Sequence, residues 1–96
     1  MNRNKLTEID EISGMLAVEN SADAIKNFII EMLTRSELET LSKRWRILSL
    51  LLSGRTQRET ASELKVSLCN VTRGAKILKN NTSIAAKYLT KEKNNE

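Results

Sequence analysis

Histidine and proline are absent from these 96 residues, cysteine occurs once, at Cys69, and glycine three times. Without histidine, a catalytic triad or a Cys-His dyad has no base, and a Cys/His zinc site lacks its ligands. A lone cysteine forbids a disulfide framework within the chain. The missing proline and scarce glycine exclude collagen-like and proline-rich chains and favour helices. No uninterrupted apolar run exceeds four residues, against the roughly 18 that span a bilayer. The start, Met1-Asn2-Arg3-Asn4-Lys5, is basic, but acidic residues follow where a signal peptide needs an apolar stretch. No phosphate-cradling glycine-rich loop is present. The expectation is a single cytoplasmic domain over residues 1–96, with no enzymatic activity, no metal, no cofactor and no membrane span.

What is present is charge, 29% of residues, on a 40% apolar chain, a globular composition rather than a disordered one. The net charge of +4 hides an asymmetry. Residues 1–40 carry four basic and eight acidic side chains, whereas residues 41–96 carry twelve basic and four acidic. A basic segment on an otherwise acidic chain suggests a polyanion partner, most often nucleic acid. A solvated, lysine-rich helical surface is the alternative, and charge alone does not separate the two.

Apolar spacing and capping residues divide the chain into helices. Thr7 precedes Ile9, Ile12 and Leu16, a short amphipathic stripe. Ser21 is placed to cap a helix whose Ala24, Ile25, Phe28, Ile29 and Met32 face inward. Thr34 with Glu37 forms a T-x-x-E capping box. It opens a long helix with Leu38, Leu41, Trp45, Leu48 and Leu52 on one stripe, and Gly54 stops it. Trp45, on that stripe, is expected in the core or a dimer interface. A second box, Thr56 to Glu59, starts a short helix from Gln57 to about Leu64, with Ala61 and Leu64 inward. Lys65-Val66-Ser67 connects it to a helix from Leu68 to Lys79 with Leu68, Val71, Ala75 and Leu78 inward. Residues 80–83 read as a turn. A last helix holds Ile84, Tyr88 and Leu89 before a fraying tail. No strand pattern and no internal repeat occur. An all-helical chain of this size buries little by itself. The apolar stripes of the first two helices therefore point to a homodimer, a small monomeric bundle with a loose arm being the alternative.

Residues 56–79 have the layout of a helix-turn-helix: two short helices, a three- or four-residue connection, and a second helix that begins with exposed polar residues. Such a second helix needs one face held by the domain and one free to enter a major groove. Leu68, Val71, Ala75 and Leu78 supply the held face and Cys69, Asn70, Thr72, Arg73 and Lys76 most of the free one, Leu68 at the helix start also counting among the DNA-binding candidates. Asn70 is short, bifunctional and near the helix start, suited to base edges. Cys69 and Thr72 are small enough for close approach. Lys76, Lys79 and Arg58 suit phosphates, and Thr56 and Gln57 stand at the first helix's N-terminus. Residues 55–79 carry six basic and two acidic side chains. Two adjacent helices of an ordinary bundle remain the alternative. Double-stranded DNA is the expected partner, with a nucleoid-associated location.

The runs Met32-Leu33-Thr34, Leu41-Ser42-Lys43-Arg44-Trp45-Arg46-Ile47, Leu51-Leu52-Ser53-Gly54-Arg55-Thr56-Gln57-Arg58-Glu59 and Val71-Thr72-Arg73-Gly74-Ala75, followed by Leu78-Lys79, resemble the Trp repressor family. The resemblance covers about residues 32–79 and is most specific in the T-Q-R-E and V-T-R-G-A pieces. It implies an all-α, six-helix dimer with intertwined subunits: residues 6–53 for dimerisation, 56–79 for the helix-turn-helix and 80–96 for a C-terminal helix and tail. It also implies a corepressor pocket beside the reading head, formed by both chains and holding an amino acid such as L-tryptophan. Arg44 and Arg73 match the arginines that sandwich the indole ring, Leu33 and Thr34 match pocket walls, and Gly74 matches a place where a side chain would obstruct the ligand. Ile77 stands where tryptophan-responsive members have a ligand-holding hydroxyl, Glu31 stands where they have an apolar residue, and the segment between Gly54 and Gln57 is one residue shorter.

The function implied is that of a sequence-specific repressor that binds a palindromic operator and is gated by that corepressor. The alternatives are a ligand-independent regulator of the same superfamily and a helical protein-interaction module. Arg44 and Arg73 as plain phosphate contacts, and Cys69 as a small filler rather than a redox switch, are the plainer readings of those residues.

Overall fold

The computed structural model describes residues 3–94, and the side chains of 7–92. Within that range the chain is six helices without a strand: α1 (Arg3–Glu19), α2 (Ala22–Met32), α3 (Arg35–Leu52), α4 (Gln57–Leu64), α5 (Leu68–Lys79) and α6 (Ile84–Asn94). The expected helices are all present, with one shifted start: α1 begins at Arg3, so Thr7 lies inside it rather than before it. Residues 95 and 96 of the expected tail lie outside the described range.

The helix ends are closed by the residues that the spacing identified. Ser21 caps α2 by accepting from the Ala24 N–H at 3.0 Å. Thr34 and Glu37 form a reciprocal box: the Glu37 N–H donates to Thr34 Oγ1 at 3.1 Å and the Thr34 N–H donates to Glu37 Oε1 at 2.8 Å. At the other end of α3, Gly54 adopts φ +104°. The Gly54 N–H donates to the Leu51 carbonyl and the Arg55 N–H to the Leu50 carbonyl, 3.2 and 3.1 Å, the bond pair of a Schellman cap. Only a residue without Cβ adopts that φ without strain. Asn80 Oδ1 accepts from the Thr82 N–H at 2.9 Å, turning the chain before Ser83 caps α6 through the Ala86 N–H at 3.1 Å.

The described chain divides into two compact units, Met1–Leu38 and Glu39–Glu96. In the first, α1 packs on α2, yet no described side chain there is fully buried. Ala24, Ile25, Phe28 and Ile29 are half-buried as expected. Met32 is not; it is exposed, as are Ile9, Met15, Val18 and Ile30. Two helices bury only the faces they turn to each other, and these apolar side chains stay exposed.

The second unit has a true core made by three helices: Ile47 and Leu48 from α3, Thr60 from α4, Val71 and Gly74 from α5. Thr60 is fully buried, whereas Ala61 and Leu64, the residues expected inward on α4, are half-buried. Burial of its hydroxyl is tolerated because Oγ1 donates to the Thr56 carbonyl at 2.9 Å, leaving no orphan polar group. α5 packs on both α4 and α6. Leu68, expected inward, is 46% exposed, since the first residue of α5 precedes the turn that reaches the core.

Candidate ligand cavity and nucleic-acid face

The connection between α4 and α5 determines how the two helices present their side chains. Thr56 caps α4 with a complete capping box: the Glu59 N–H donates to Thr56 Oγ1 at 3.0 Å, and the Thr56 N–H donates to Glu59 Oε1 at 2.9 Å. That backbone hydrogen bond, then the Thr56 hydroxyl and the nearby Arg55 charge, hold the Glu59 carboxyl below the usual carboxylate range. Lys65 ends α4 in the left-handed region, φ +57°. Its conformation lets the Val66 N–H reach the Ala61 carbonyl at 3.0 Å. Ser67 then caps α5 through the Asn70 N–H at 3.2 Å. Three residues therefore join two well-capped helices.

Thr56, Gln57 and Arg58 occupy the cap and first turn of α4, all exposed. Leu68, Cys69, Asn70, Thr72, Lys76 and Lys79 are exposed along α5. The structure brings Leu68, Cys69, Thr72, Arg73 and Lys76 together along one open groove on α5. Gln57 is tied to this face, because the Thr72 hydroxyl donates to Gln57 Oε1 at 3.1 Å. Arg58 of α4 lies beside Glu59, Ser62 and Glu63 of the same helix and Arg55 just before it, where Arg55 pairs with Glu63. Asn70 lies toward a different opening.

That opening is a cavity of about 230 Å³ between α3 and α5, lined by Leu41, Arg44, Trp45, Leu48, Asn70, Arg73, Gly74 and Ile77. Arg44, Arg73, Gly74 and Ile77, the residues identified through the family resemblance, thus share one wall system. Leu33 and Thr34 belong to the first unit, at the end of α2 and the cap of α3, and are not among its lining residues. Asn70, assigned to base edges, is. Leu41, Trp45 and Leu48 were not identified as site residues. The clue was available, since 41, 44, 45 and 48 fall on one helix face.

The structure adds to the expectation at two of these residues. Trp45 is 43% exposed within the single chain rather than in its core, forming part of the cavity wall and packing against Tyr88 of α6 with ring centroids 6.1 Å apart and planes tilted by 41°. Gly74 is buried, and a Cβ there would come within 2.6 Å of Ile47 Cγ2 and 3.5 Å of Leu48 Cδ2. Its bareness is required by the close approach of α3, a reason independent of any ligand. No metal cluster of three or more His, Cys, Asp or Glu residues occurs among the described residues, and no described helix is long and apolar enough to cross a membrane.

A family model for the Trp repressor protein matches residues 7–93. Among curated proteins, the Trp operon repressor homologs of Xylella fastidiosa strains M23, Temecula1 and 9a5c are each 44% identical to the chain over 68 residues. That alignment covers 70% of this chain and 74% of each relative. No solved structure gives a significant match.

Proposed function

Because the chain belongs to the Trp repressor family, a family of DNA-binding transcription regulators rather than enzymes, we propose that it represses transcription as a corepressor-gated homodimer. Its all-α, six-helix architecture agrees with that family. In this reading α5 enters the major groove, with Asn70 toward base edges, Cys69 and Thr72 small enough to allow that close approach, and Arg58, Lys76 and Lys79 toward phosphates. Thr56 and Gln57 at the start of α4 approach the backbone, where helix N-termini favour anions. A dimer places two such heads about 34 Å apart on a near-palindromic operator. The protein acts where that DNA is, in the cytoplasm at the nucleoid.

The observation that carries the gating is the position of α5 between two openings. Arg73 lines both the cavity and the outer groove, and Asn70, at the start of the helix, lines the cavity as well. A ligand bound there contacts the reading helix from behind and favours the DNA-competent state by differential affinity. An amino acid with a flat apolar ring suits the walls: Arg44 and Arg73 stack guanidinium planes on aromatic faces, and Leu41, Leu48 and Ile77 supply apolar surface. L-tryptophan is such a ligand, and the name of the Xylella relatives accords with it. The cavity is smaller than the roughly 300–1,000 Å³ of most ligand sites, which suits a pocket completed by a second chain through Leu33 and Thr34. Ile77 supports a second reading, in which its side chain occupies the space of a ligand-holding hydroxyl and DNA is bound without a corepressor.

Selection of duplexes from a random pool, with and without tryptophan, tests both. The expected outcome is a near-palindrome enriched chiefly with tryptophan, with calorimetric heat saturating at one ligand per chain. Equal enrichment and no heat supports the ligand-free reading. Weak duplex binding that does not fall as salt rises overturns DNA binding by this face and leaves a protein-interaction module.

A further inference from the structure

On the basis of the DNA-reading assignment above, we propose that Thr72 is a positioning residue: it fixes Gln57 so that the glutamine amide presents its NH2 group to a DNA phosphate. The two residues are 15 apart in sequence, on different helices, and both are exposed. Their backbones are nonetheless held. Gln57 follows directly on the capped residue Thr56, and Thr72 follows Val71, which is fully buried. The side chains therefore meet between two anchored points.

The placement of the Gln57 amide oxygen toward α5 gives the bond its direction. A threonine hydroxyl has one hydrogen, and here it goes to Gln57 Oε1 at 3.1 Å. The amide oxygen is thereby occupied on the side of α5. Both hydrogens of the amide nitrogen are left, pointing away from Thr72 across the planar group. Gln57 is thus oriented as a donor at the first turn of α4, where the helix dipole and free N–H groups favour an anion. A phosphate oxygen accepts only, so it matches this group. Thr72 has spent its hydrogen and contributes to DNA affinity through Gln57.

Because glutamine is neutral, it releases no counterion of its own. Loss of its contact therefore lowers affinity without changing the salt slope, and a phosphate contact is lost equally on any sequence. The test measures binding of the full chain to a duplex recovered from the random-pool selection and to a scrambled duplex of equal length, across a salt series. The proteins are wild type, Thr72→Val, Thr72→Ser, Gln57→Ala and the double variant Thr72→Val/Gln57→Ala, each checked by a thermal melt. The expected result is that Gln57→Ala weakens both duplexes about tenfold or more, the worth of one hydrogen bond to a charged group, and Thr72→Val about fivefold, the worth of the neutral bond that orients the amide. The double variant is expected to equal Gln57→Ala alone, the signature of a shared interaction, and Thr72→Ser to stay within about twofold of wild type, since it keeps the hydroxyl. The salt slope is expected to stay constant throughout. Multiplying losses in the double variant, or a loss confined to the selected duplex, overturn the proposal while DNA binding stands. A wild-type chain that binds neither duplex overturns both.

Discussion

At Gly74, packing and helix propensity oppose each other. Alanine is favoured over glycine in a helix interior by about 1 kcal/mol. Yet the added Cβ at 2.6 Å from Ile47 Cγ2 would collide with a β-branched side chain that is itself buried and has little rotamer freedom. Overpacking of that kind costs about 1–3 kcal/mol. Gly74→Ala is therefore expected to lower stability by about 1 kcal/mol in a denaturant titration, and a stabilised variant would show that α3 and α5 part easily. Residues along α5 were legible to the extent that chemistry is local. Asn70, Lys76 and Thr72 were chosen because they are polar on a helix with an apolar stripe, and they are exposed. The cavity-wall position of Trp45 was not legible. A tryptophan on a hydrophobic stripe reads as core, and only the position of α5 and α6 around α3 turns it into a cavity wall that leans on Tyr88. Thr60 was missed for a related reason: a threonine is buried when its hydroxyl returns to a carbonyl four residues earlier, a bond that apolar periodicity does not register.

Elements were read best at their ends. The caps at Ser21, Thr34, Thr56 and Ser67 all form, because each needs only a hydroxyl and an N–H two or three residues on. Gly54 closes α3 because its φ is one that side chains avoid. The start of α1 was misplaced, since Thr7 is only one of several helix-compatible residues there and nothing local compels a stop before it. The connection of α4 to α5 is the most demanding element. Lys65 carries a side chain at φ +57°, a conformation that costs a non-glycine residue about 1 kcal/mol or more. Lys65→Gly removes that strain but loosens the unfolded chain. The expected net effect is a stabilisation of about 0.5 kcal/mol with unchanged helix content, measured by thermal melts followed by circular dichroism. A destabilised variant would show that the lysine side chain makes a contact that outweighs its backbone strain.

For the whole molecule, the two units differ in how well they bury their apolar surface. Residues 39–96 enclose Ile47, Leu48, Thr60 and Val71, whereas the described part of 1–38 encloses nothing and leaves Val18 82% exposed. Apolar surface of that kind is stabilising only when covered, at roughly 25 cal/mol per Å². In the proposed homodimer a second copy would cover it, each copy offering the same patch. The expected outcome in sedimentation is twice the chain mass, with a melting temperature that rises with protein concentration, as linkage requires for a dimer. A monomer whose melting temperature ignores concentration would remove the two-headed operator from the proposed function.

The order of helices, their caps and the family were determined by the sequence alone. These depend on contacts within a few residues and on short motifs such as T-Q-R-E and V-T-R-G-A, which do not need the rest of the molecule to be recognised. Tertiary structure decided which apolar positions are covered, why position 74 must be glycine, and that Arg44, Asn70, Arg73 and Ile77 open onto one cavity with Trp45. Those properties arise where α3, α5 and α6 meet, between side chains dozens of positions apart, and periodicity along one helix contains no information about what its neighbour presents.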